Sequence, residues 1–261
     1  MKISFSKYQG TGNDFIIIDN RLIHWRPTVN EVAMLCNRHF GIGADGLMLL
    51  ESRMGYDFAM TYFNSDGNES TMCGNGGRCM TAYARSLGLM GDTAHFWAVD
   101  GAHESGIIAV AFPGNYKLKM KDTRIGIKYE DGLCIDTGSP HFVVFVNDIM
   151  HVDVVGSGRV LRYDARFAPG GTNVDFIELQ PDGIFVRTYE RGVEDETLSC
   201  GTGVTASSLV AAYLDRGNKT SYKVKTLGGE LEVRFSRHGE DFTEIWLEGP
   251  AGFVFSGEIE V

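Results

Sequence analysis

Displaced by 127 residues, this chain matches itself without a gap: Thr61-Tyr62 falls on Thr188-Tyr189, Glu69 on Glu196, and Cys73-Gly74-Asn75-Gly76 on Cys200-Gly201-Thr202-Gly203. The same offset puts Phe15 on Phe142, Asn20 on Asn147, Phe40 on Phe167, Gly43 on Gly170 and Gly101 on Gly228. Solenoid repeats have periods of about 20–50 residues. A period of 127 in 261 residues predicts instead two domain-sized copies of one unit. Each copy places a cysteine at the start of a Cys-Gly-x-Gly turn. A pseudo-twofold axis between the copies would let two equivalent thiols address one substrate from opposite faces.

The expected domains are residues 1–117 and 118–249, with a C-terminal strand, 250–261, returning to the first. A polar, Lys-rich stretch near Gly114–Glu130 reads as the hinge. In the first copy Asp14–Asp19 reads as a short buried strand behind a Gly-rich turn. Val32, Leu35, Cys36 and Phe40 recur at helical spacing, which predicts a helix over Asn30–Phe40 that stops at Gly41. Leu47–Glu51 and Asp57–Phe63 read as strands and Gly77–Leu89 as a second helix. The second copy repeats the order. Phe142–Val146 is a strand, Asp153–Phe167 a helix interrupted by glycines, and Asp175–Leu179 and Ile184–Tyr189 are strands. Val204–Leu214 is a helix ended by Arg216-Gly217, and its Ala and Ser residues predict close approach by surrounding backbone.

Acidic residues outnumber basic ones, 34 to 24, for a net charge of −10. Nucleic acids and anionic membranes demand a basic surface, so neither is expected as a partner. The first ten residues contain no continuous apolar run of the signal-peptide kind. Phe142–Val146, among the longest apolar runs, is far short of the roughly 20 residues a membrane span requires. Five cysteines, an odd number, fit reduced thiols in a cytoplasmic protein.

A thiol before a Gly-x-Gly turn that opens a helix sits beside free backbone N–H groups and the positive end of the helix dipole. Both are expected to lower its pKa, and Cys73 and Cys200 are therefore the candidate reactive pair. Cys36, Cys79 and Cys134 read as small core side chains. Cys73 and Cys79 are six residues apart, without the short spacing of structural zinc sites, so no metal is expected. No Cys-x-x-Cys is present, nor the glycine pattern or lysine of a phosphate-binding loop. The lysines cluster in polar stretches such as Lys117–Lys128, whereas pyridoxal chemistry needs a buried Schiff-base lysine. No cofactor is expected.

Six segments, in order and spacing, resemble the motifs of the diaminopimelate epimerase family: Gly10–Phe15, Phe63–Gly67, Met72–Cys79, Thr172–Phe176, Tyr189–Gly192 and Cys200–Gly203. The resemblance covers essentially the whole chain. Asn75 after Cys73-Gly74, and the Tyr-Glu-Arg-Gly segment, are similar to this family rather than to the related proline racemases. The resemblance implies an α/β (α+β) fold of two pseudo-symmetric domains, each a rolled mixed β-sheet around a central helix, with the active site in the interdomain cleft. It also implies that Cys73 and Cys200 are the acid/base pair, Cys200 the acceptor and Cys73 the donor when LL substrate goes to meso. Asn13, Asn64, Gly74, Asn75, Asn173, Glu190, Arg191, Gly201 and Thr202 would bind substrate. His141 and Glu190 would tune the thiols, and Phe255 would lie at a homodimer interface. Two positions depart from the common pattern. Ser139 stands where an Asn is frequent, and Gly46 where some members carry a substrate-binding Gln.

The chemistry suits the residues. Inverting an α-carbon without a cofactor needs a base on one face and an acid on the other, hence one thiolate and one thiol. The expected reaction interconverts LL- and meso-2,6-diaminoheptanedioate, for lysine and peptidoglycan precursors. Negative charge spreading into the α-carboxylate is stabilised by N–H groups at helix N-termini. Glu190 and Arg191 together would hold the ammonium and carboxylate of the non-reacting end. Two alternatives stand beside this reading: an isomerase acting on proline-like or phenazine-precursor substrates, and a non-catalytic thiol or metal-binding protein.

Overall fold

The computed structural model describes residues 1–215 and 217–261. The chain divides into two compact units, Met1–Leu118 with Gly249–Val261, and Lys119–Glu248. Unit 1 comprises β1 (Lys2–Gly10), β2 (Asn13–Asp19), α1 (Val29–Cys36), β3 (Gly46–Glu51), β4 (Phe58–Asn64), β5 (Glu69–Ser70), α2 (Gly74–Ser86), β6 (Thr93–Ala98), β7 (Gly101–Ala109) and β8 (Gly114–Lys119). Unit 2 comprises β9 (Thr123–Lys128), β10 (Leu133–Asp136), β11 (Pro140–Phe145), α3 (Val154–Arg162), β12 (Asn173–Gln180), β13 (Gly183–Glu190), β14 (Asp195–Thr197), α4 (Gly201–Asp215), β15 (Ser221–Thr226) and β16 (Gly229–His238). The last strand, β17 (Asp241–Glu260), pairs with β16 through its first residues and with β1 through Gly252–Glu260. Two strands, β8 and β9, occupy most of the stretch that reads as a hinge in the sequence.

In unit 1, β1 and β2 are antiparallel, β2 and β3 parallel, β3 and β4 antiparallel, β4 and β6 parallel, and β6 and β7 antiparallel. The same succession recurs in unit 2 as β10–β11, β11–β12, β12–β13, β13–β15 and β15–β16. Registers are not strictly conserved. Phe15 faces Gly46 while Phe142 faces Val174, one residue off the 127 offset. The gapless self-match of the sequence therefore conceals compensating shifts of pairing.

Strands buried on both faces read as continuous apolar runs. Phe15–Ile18 of β2 and Leu47–Leu50 of β3 are all buried and form the centre of unit 1. The helix α2 has no exposed face over Gly74–Ala84, and α4 none over Gly203–Ala212. Enclosure on all sides demands small residues. A Cβ on Gly77 would lie 3.0 Å from Leu118 and one on Gly76 3.2 Å from the Met48 sulfur. Three hydroxyls in these helices bond one turn back: Thr81 donates to Gly77 O at 2.8 Å, Thr205 to Gly201 O at 2.9 Å and Ser208 to Val204 O at 2.8 Å. No helix among the described residues is long and apolar enough to cross a membrane.

Helix boundaries differ from the pattern reading for identifiable reasons. The Thr28–Glu31 capping box starts α1. The helix ends at Cys36 because the Asn37 side chain accepts from the N–H groups of His39 and Phe40, at 2.9 and 3.0 Å, which turns the chain. Phe40 is left exposed. The helix α2 begins at Gly74, since its glycines serve packing inside the helix rather than a turn before it. Gly156 and Gly158 lie within α3, which breaks instead after Arg162; Asp164 caps a separate short turn at Ala165–Phe167. Arg216, which the sequence places at the end of the last helix, lies outside the described residues.

At Gly46 the strand leaves no room for any side chain. An added Cβ would sit 2.5 Å from the Tyr62 ring and 2.6 Å from the Phe63 carbonyl oxygen. Gly46→Ala should destabilise the protein by about 1–3 kcal/mol, the usual cost of overpacking, read as a lower urea midpoint at unchanged slope.

Candidate active site

Cys73 is the N-cap of α2, with extended backbone at φ −92° and ψ 133°. Its carbonyl accepts the first intrahelical bond, from Gly77 N–H at 2.7 Å. The N–H groups of the first turn, Gly74 and Asn75 among them, have no partner within the helix and project beyond its end. Cys200 precedes α4 in the same way, and its carbonyl accepts from Val204 N–H at 2.8 Å. Gly201 and Thr202 form that first turn.

Around Cys73, unit 1 assembles amides. Cys73 Sγ lies 3.7 Å from Asn13 Oδ1, which also accepts from Asn75 Nδ2 at 3.4 Å. Beneath them is Arg78, fully buried, which donates to Gly74 O, Thr11 Oγ1 and Asn75 Oδ1 at 3.3, 3.3 and 3.0 Å. Its Nε makes no hydrogen bond. Burial pulls the Arg78 guanidinium down to about 10, while the neighbouring Cys79 and Cys73 act the other way. Asn64 is not part of this group. It sits exposed at the end of β4, where its carbonyl closes a turn with Gly67 N–H at 2.9 Å.

Around Cys200, unit 2 assembles ionisable groups. Cys200 Sγ is 3.4 Å from Thr202 Oγ1, and Thr202 Oγ1 is 2.9 Å from His141 Nε2. His141 Nδ1 is 2.7 Å from Asp175 Oδ2, and Thr188 donates to Asp175 Oδ1 at 2.7 Å. The side chains of His141 and Asp175 are wholly buried. Gly203 is indispensable to this packing, because a Cβ there would lie 2.3 Å from Asp175 Oδ1. Beside it, Asn173 Nδ2 donates to Ser139 Oγ at 2.8 Å and to Pro140 O at 2.9 Å, and Asn173 Oδ1 accepts from Arg191 N–H at 2.8 Å. Arg191 Nη2 reaches Ser139 Oγ at 3.4 Å. Ser139 Oγ thus lies within reach of two donors.

The thiols correct one expectation. Burial, then the charges of Glu190 and Asp175, push the Cys200 thiol well above its ordinary value. Hydrogen bonds from Thr202 and the Gly203 N–H pull the other way and are outweighed. Helix-terminal N–H groups therefore do not by themselves make this thiol acidic, because desolvating a thiolate costs more than they return. Cys36 and Cys79 are buried and pushed up to about 12, which suits core residues; Cys134 is half-buried.

Asp175, Arg78, Thr11 and Asp45 escaped the sequence reading as site residues. The first three stand inside the quoted segments Thr172–Phe176, Met72–Cys79 and Gly10–Phe15, but nothing in spacing distinguishes a polar group beneath a site from one on the surface. Phe255 is half-exposed on β17 and packs edge-on against Phe5 at 5.9 Å. Among the described residues no cluster of three or more His, Cys, Asp or Glu is placed to hold a metal ion.

Because the Glu190 charge raises the Cys200 thiol, Glu190→Gln should let Cys200 ionise at lower pH. Alkylation of Cys200 by iodoacetamide, followed by peptide mapping, should begin at lower pH in the variant. An unchanged profile would show that Glu190 does not act on this sulfur.

The sequence profile of the diaminopimelate epimerase family matches residues 5–117 and 133–254. A diaminopimelate epimerase from Flavobacterium psychrophilum is 45% identical over 260 residues, covering 97% of this chain and 98% of that protein. One from Chlorobaculum tepidum is 42% identical, over 96% of this chain and 98% of the relative. Among solved structures, a phenazine biosynthesis protein of the PhzF family from Bacillus anthracis superposes with a TM-score of 0.79 at 16% identity, over all of both chains. A probable proline racemase from Agrobacterium radiobacter K84 superposes with a TM-score of 0.72 at 15% identity, over 99% of this chain and 93% of the other. At such identities the two structures show the fold alone, a mixed sheet-and-helix architecture. The matched segments span both cysteine-led helices and the polar groups packed against them, and the chain belongs to the diaminopimelate epimerase family of isomerases.

Proposed function

We propose that this protein is a cytoplasmic, cofactor-independent epimerase that interconverts LL- and meso-2,6-diaminoheptanedioate, supplying lysine and peptidoglycan precursors. The observation that carries the reading is a cysteine at the N-terminus of each of two buried helices, within a chain of this family. In the proposed arrangement the two pseudo-symmetric domains close on one substrate in a cleft, with Cys73 and Cys200 on opposite faces of its α-carbon.

In the LL-to-meso direction the Cys200 thiolate takes the α-proton and becomes a thiol. The electron pair left on carbon spreads into the α-carboxylate, where first-turn N–H groups of Gly74, Asn75, Gly201 and Thr202 stabilise it. The Cys73 S–H then delivers its proton to the opposite face and becomes the thiolate. The reverse reaction exchanges the roles. Cys200 must first lose a proton that burial and Glu190 hold on it. Substrate relieves that hold, because an ammonium beside Glu190 cancels its charge. The proton leaves through Thr202 to His141 Nε2, and Asp175 stabilises the imidazolium formed. Asn13, Asn64, Asn173 and Arg191 fix the substrate's remaining polar groups, with Ser139 adding a hydroxyl.

Phe255, with the exposed Phe253 and Val254 beside it on β17, supports a homodimer joined through this strand. Light scattering should return twice the chain mass, and a monomer at micromolar concentration would remove the proposal.

Single-thiol variants test the mechanism. In D₂O, Cys73→Ala should slowly label LL substrate at its α-carbon while forming almost no meso product. Cys200→Ala should instead label the D-centre of the meso isomer. Rates fall by several orders of magnitude in both, so the face preference is the reading. Near wild-type interconversion by either variant, or wild-type turnover of proline in place of diaminopimelate, would refute the assignment.

A further inference from the structure

The polar groups beneath Cys73 form a chain with a charge at each end, and those charges set the direction of every bond between. Arg78 Nη2 donates to Asn75 Oδ1 at 3.0 Å. The other face of that amide, Nδ2, therefore points onward and donates to Asn13 Oδ1 at 3.4 Å. At the far end Asn13 Nδ2 donates to Asp45 Oδ2 at 2.6 Å. A guanidinium can only donate and a carboxylate can only accept. If the Asn75 amide turned over, donor would meet donor at Arg78; if the Asn13 amide did, acceptor would meet acceptor at Asp45. Asn13 is thereby obliged to present Oδ1, not Nδ2, to Cys73 Sγ at 3.7 Å. A carbonyl oxygen accepts from S–H and repels a thiolate.

We propose that Asp45 and Arg78 are positioning residues that lock the Asn13 and Asn75 amides so that Cys73 rests as a thiol, ready to donate its proton. The functional meaning rests on reading Cys73 as the acid of the LL-to-meso reaction. The geometry is independent of it. Asp45 is itself held in place: Arg38 Nη2 bonds its Oδ1 at 2.7 Å, and the Asp14 N–H bonds its Oδ2 at 3.1 Å. Arg38 also clamps the Asp14 carboxylate, at 2.7 and 3.0 Å, and Lys7 pairs with the same group at 2.8 Å. The Arg78 cation alone would favour a thiolate nearby, since no carboxylate is among its hydrogen-bond partners within the described residues. The inward-facing carbonyl of Asn13 opposes it. Cys73 is thus kept protonated by one neighbour while the field of another makes the proton easy to give up. The contrast with Cys200 is chemical. Its neighbour is a hydroxyl backed by an imidazole, which can donate or accept, whereas locked amides can do only one.

Asp45→Asn tests this. The side chain of Asp45 is 40% exposed, and Arg38 keeps Asp14, so the fold should persist. Asparagine can present either a donor or an acceptor, which frees the Asn13 amide to turn its Nδ2 toward the sulfur and stabilise the thiolate. Peptide-mapped alkylation with iodoacetamide at pH 7, without substrate, should label Cys73 about three- to tenfold faster, the factor one hydrogen bond of ordinary net strength supplies. The increase should survive 1 M KCl, where the Debye length is about 3 Å and the simple loss of a charge is screened. Asp45→Glu keeps an obligate acceptor and should label at the wild-type rate. Unchanged or slower labelling in Asp45→Asn, an increase abolished by salt, or equally fast labelling in Asp45→Glu would each overturn the proposal. A wild-type protein inactive on diaminopimelate would sink the proposed function and leave the labelling result standing.

Discussion

Everything at the candidate site depends on two helices that have no outer face. A helix enclosed on all sides has room for long side chains only where its surroundings leave space, and α2 and α4 are rich in Gly, Ala, Ser and Thr, with Arg78, Met80 and Tyr83 among the larger residues buried in α2. Glycine inside a helix costs about 0.5–1 kcal/mol relative to alanine. At Gly203 the alternative is a Cβ at 2.3 Å from Asp175 Oδ1, a clash within the buried His141–Asp175–Thr188 network, so the glycine is the less costly choice there. Enclosure also fixes where each helix begins. Its first turn has nowhere to fray, and the cysteine before it is held at a defined place relative to projecting N–H groups.

Enclosure has an electrostatic consequence as well. Polar groups beneath these helices are cut off from water, so most are answered by another, Arg78 Nε being an exception. Unit 1 answers with amides strung between Arg78 and Asp45, unit 2 with the Thr202–His141–Asp175–Thr188 chain. The first is a run of amides whose donor and acceptor ends are fixed by a guanidinium and a carboxylate; the second contains an imidazole, whose ring nitrogens can donate or accept. Two cysteines that look equivalent in the sequence thus sit in chemically different surroundings.

The same argument explains why a helix N-terminus proved a poor guide to thiol acidity. The dipole and the first-turn N–H groups favour a thiolate by a modest amount at a wet helix end. Cys200 is not wet, and Glu190 and Asp175 add unfavourable charge.

The amino-acid sequence by itself determined the twofold repetition, the strands of the core, the helices and the equivalent positions of Cys73 and Cys200 before their helices, because these rest on periodicity and on residue type at fixed spacing. Both are local properties of the chain. It also contained, in six short segments, the family to which the chain belongs. Only the tertiary structure decided that α2 begins at Gly74, where Gly76 and Gly77 pack inside the helix rather than turning the chain before it. It alone revealed that Gly46 can bear no side chain and that pairing registers slip between the copies. It also brought Asp45, Arg78 and Asp175 beneath the cysteines. Those three come from separate strands, loops and helix faces, and whether a charge lies on the surface or under a site depends on what packs over it, which no local pattern encodes.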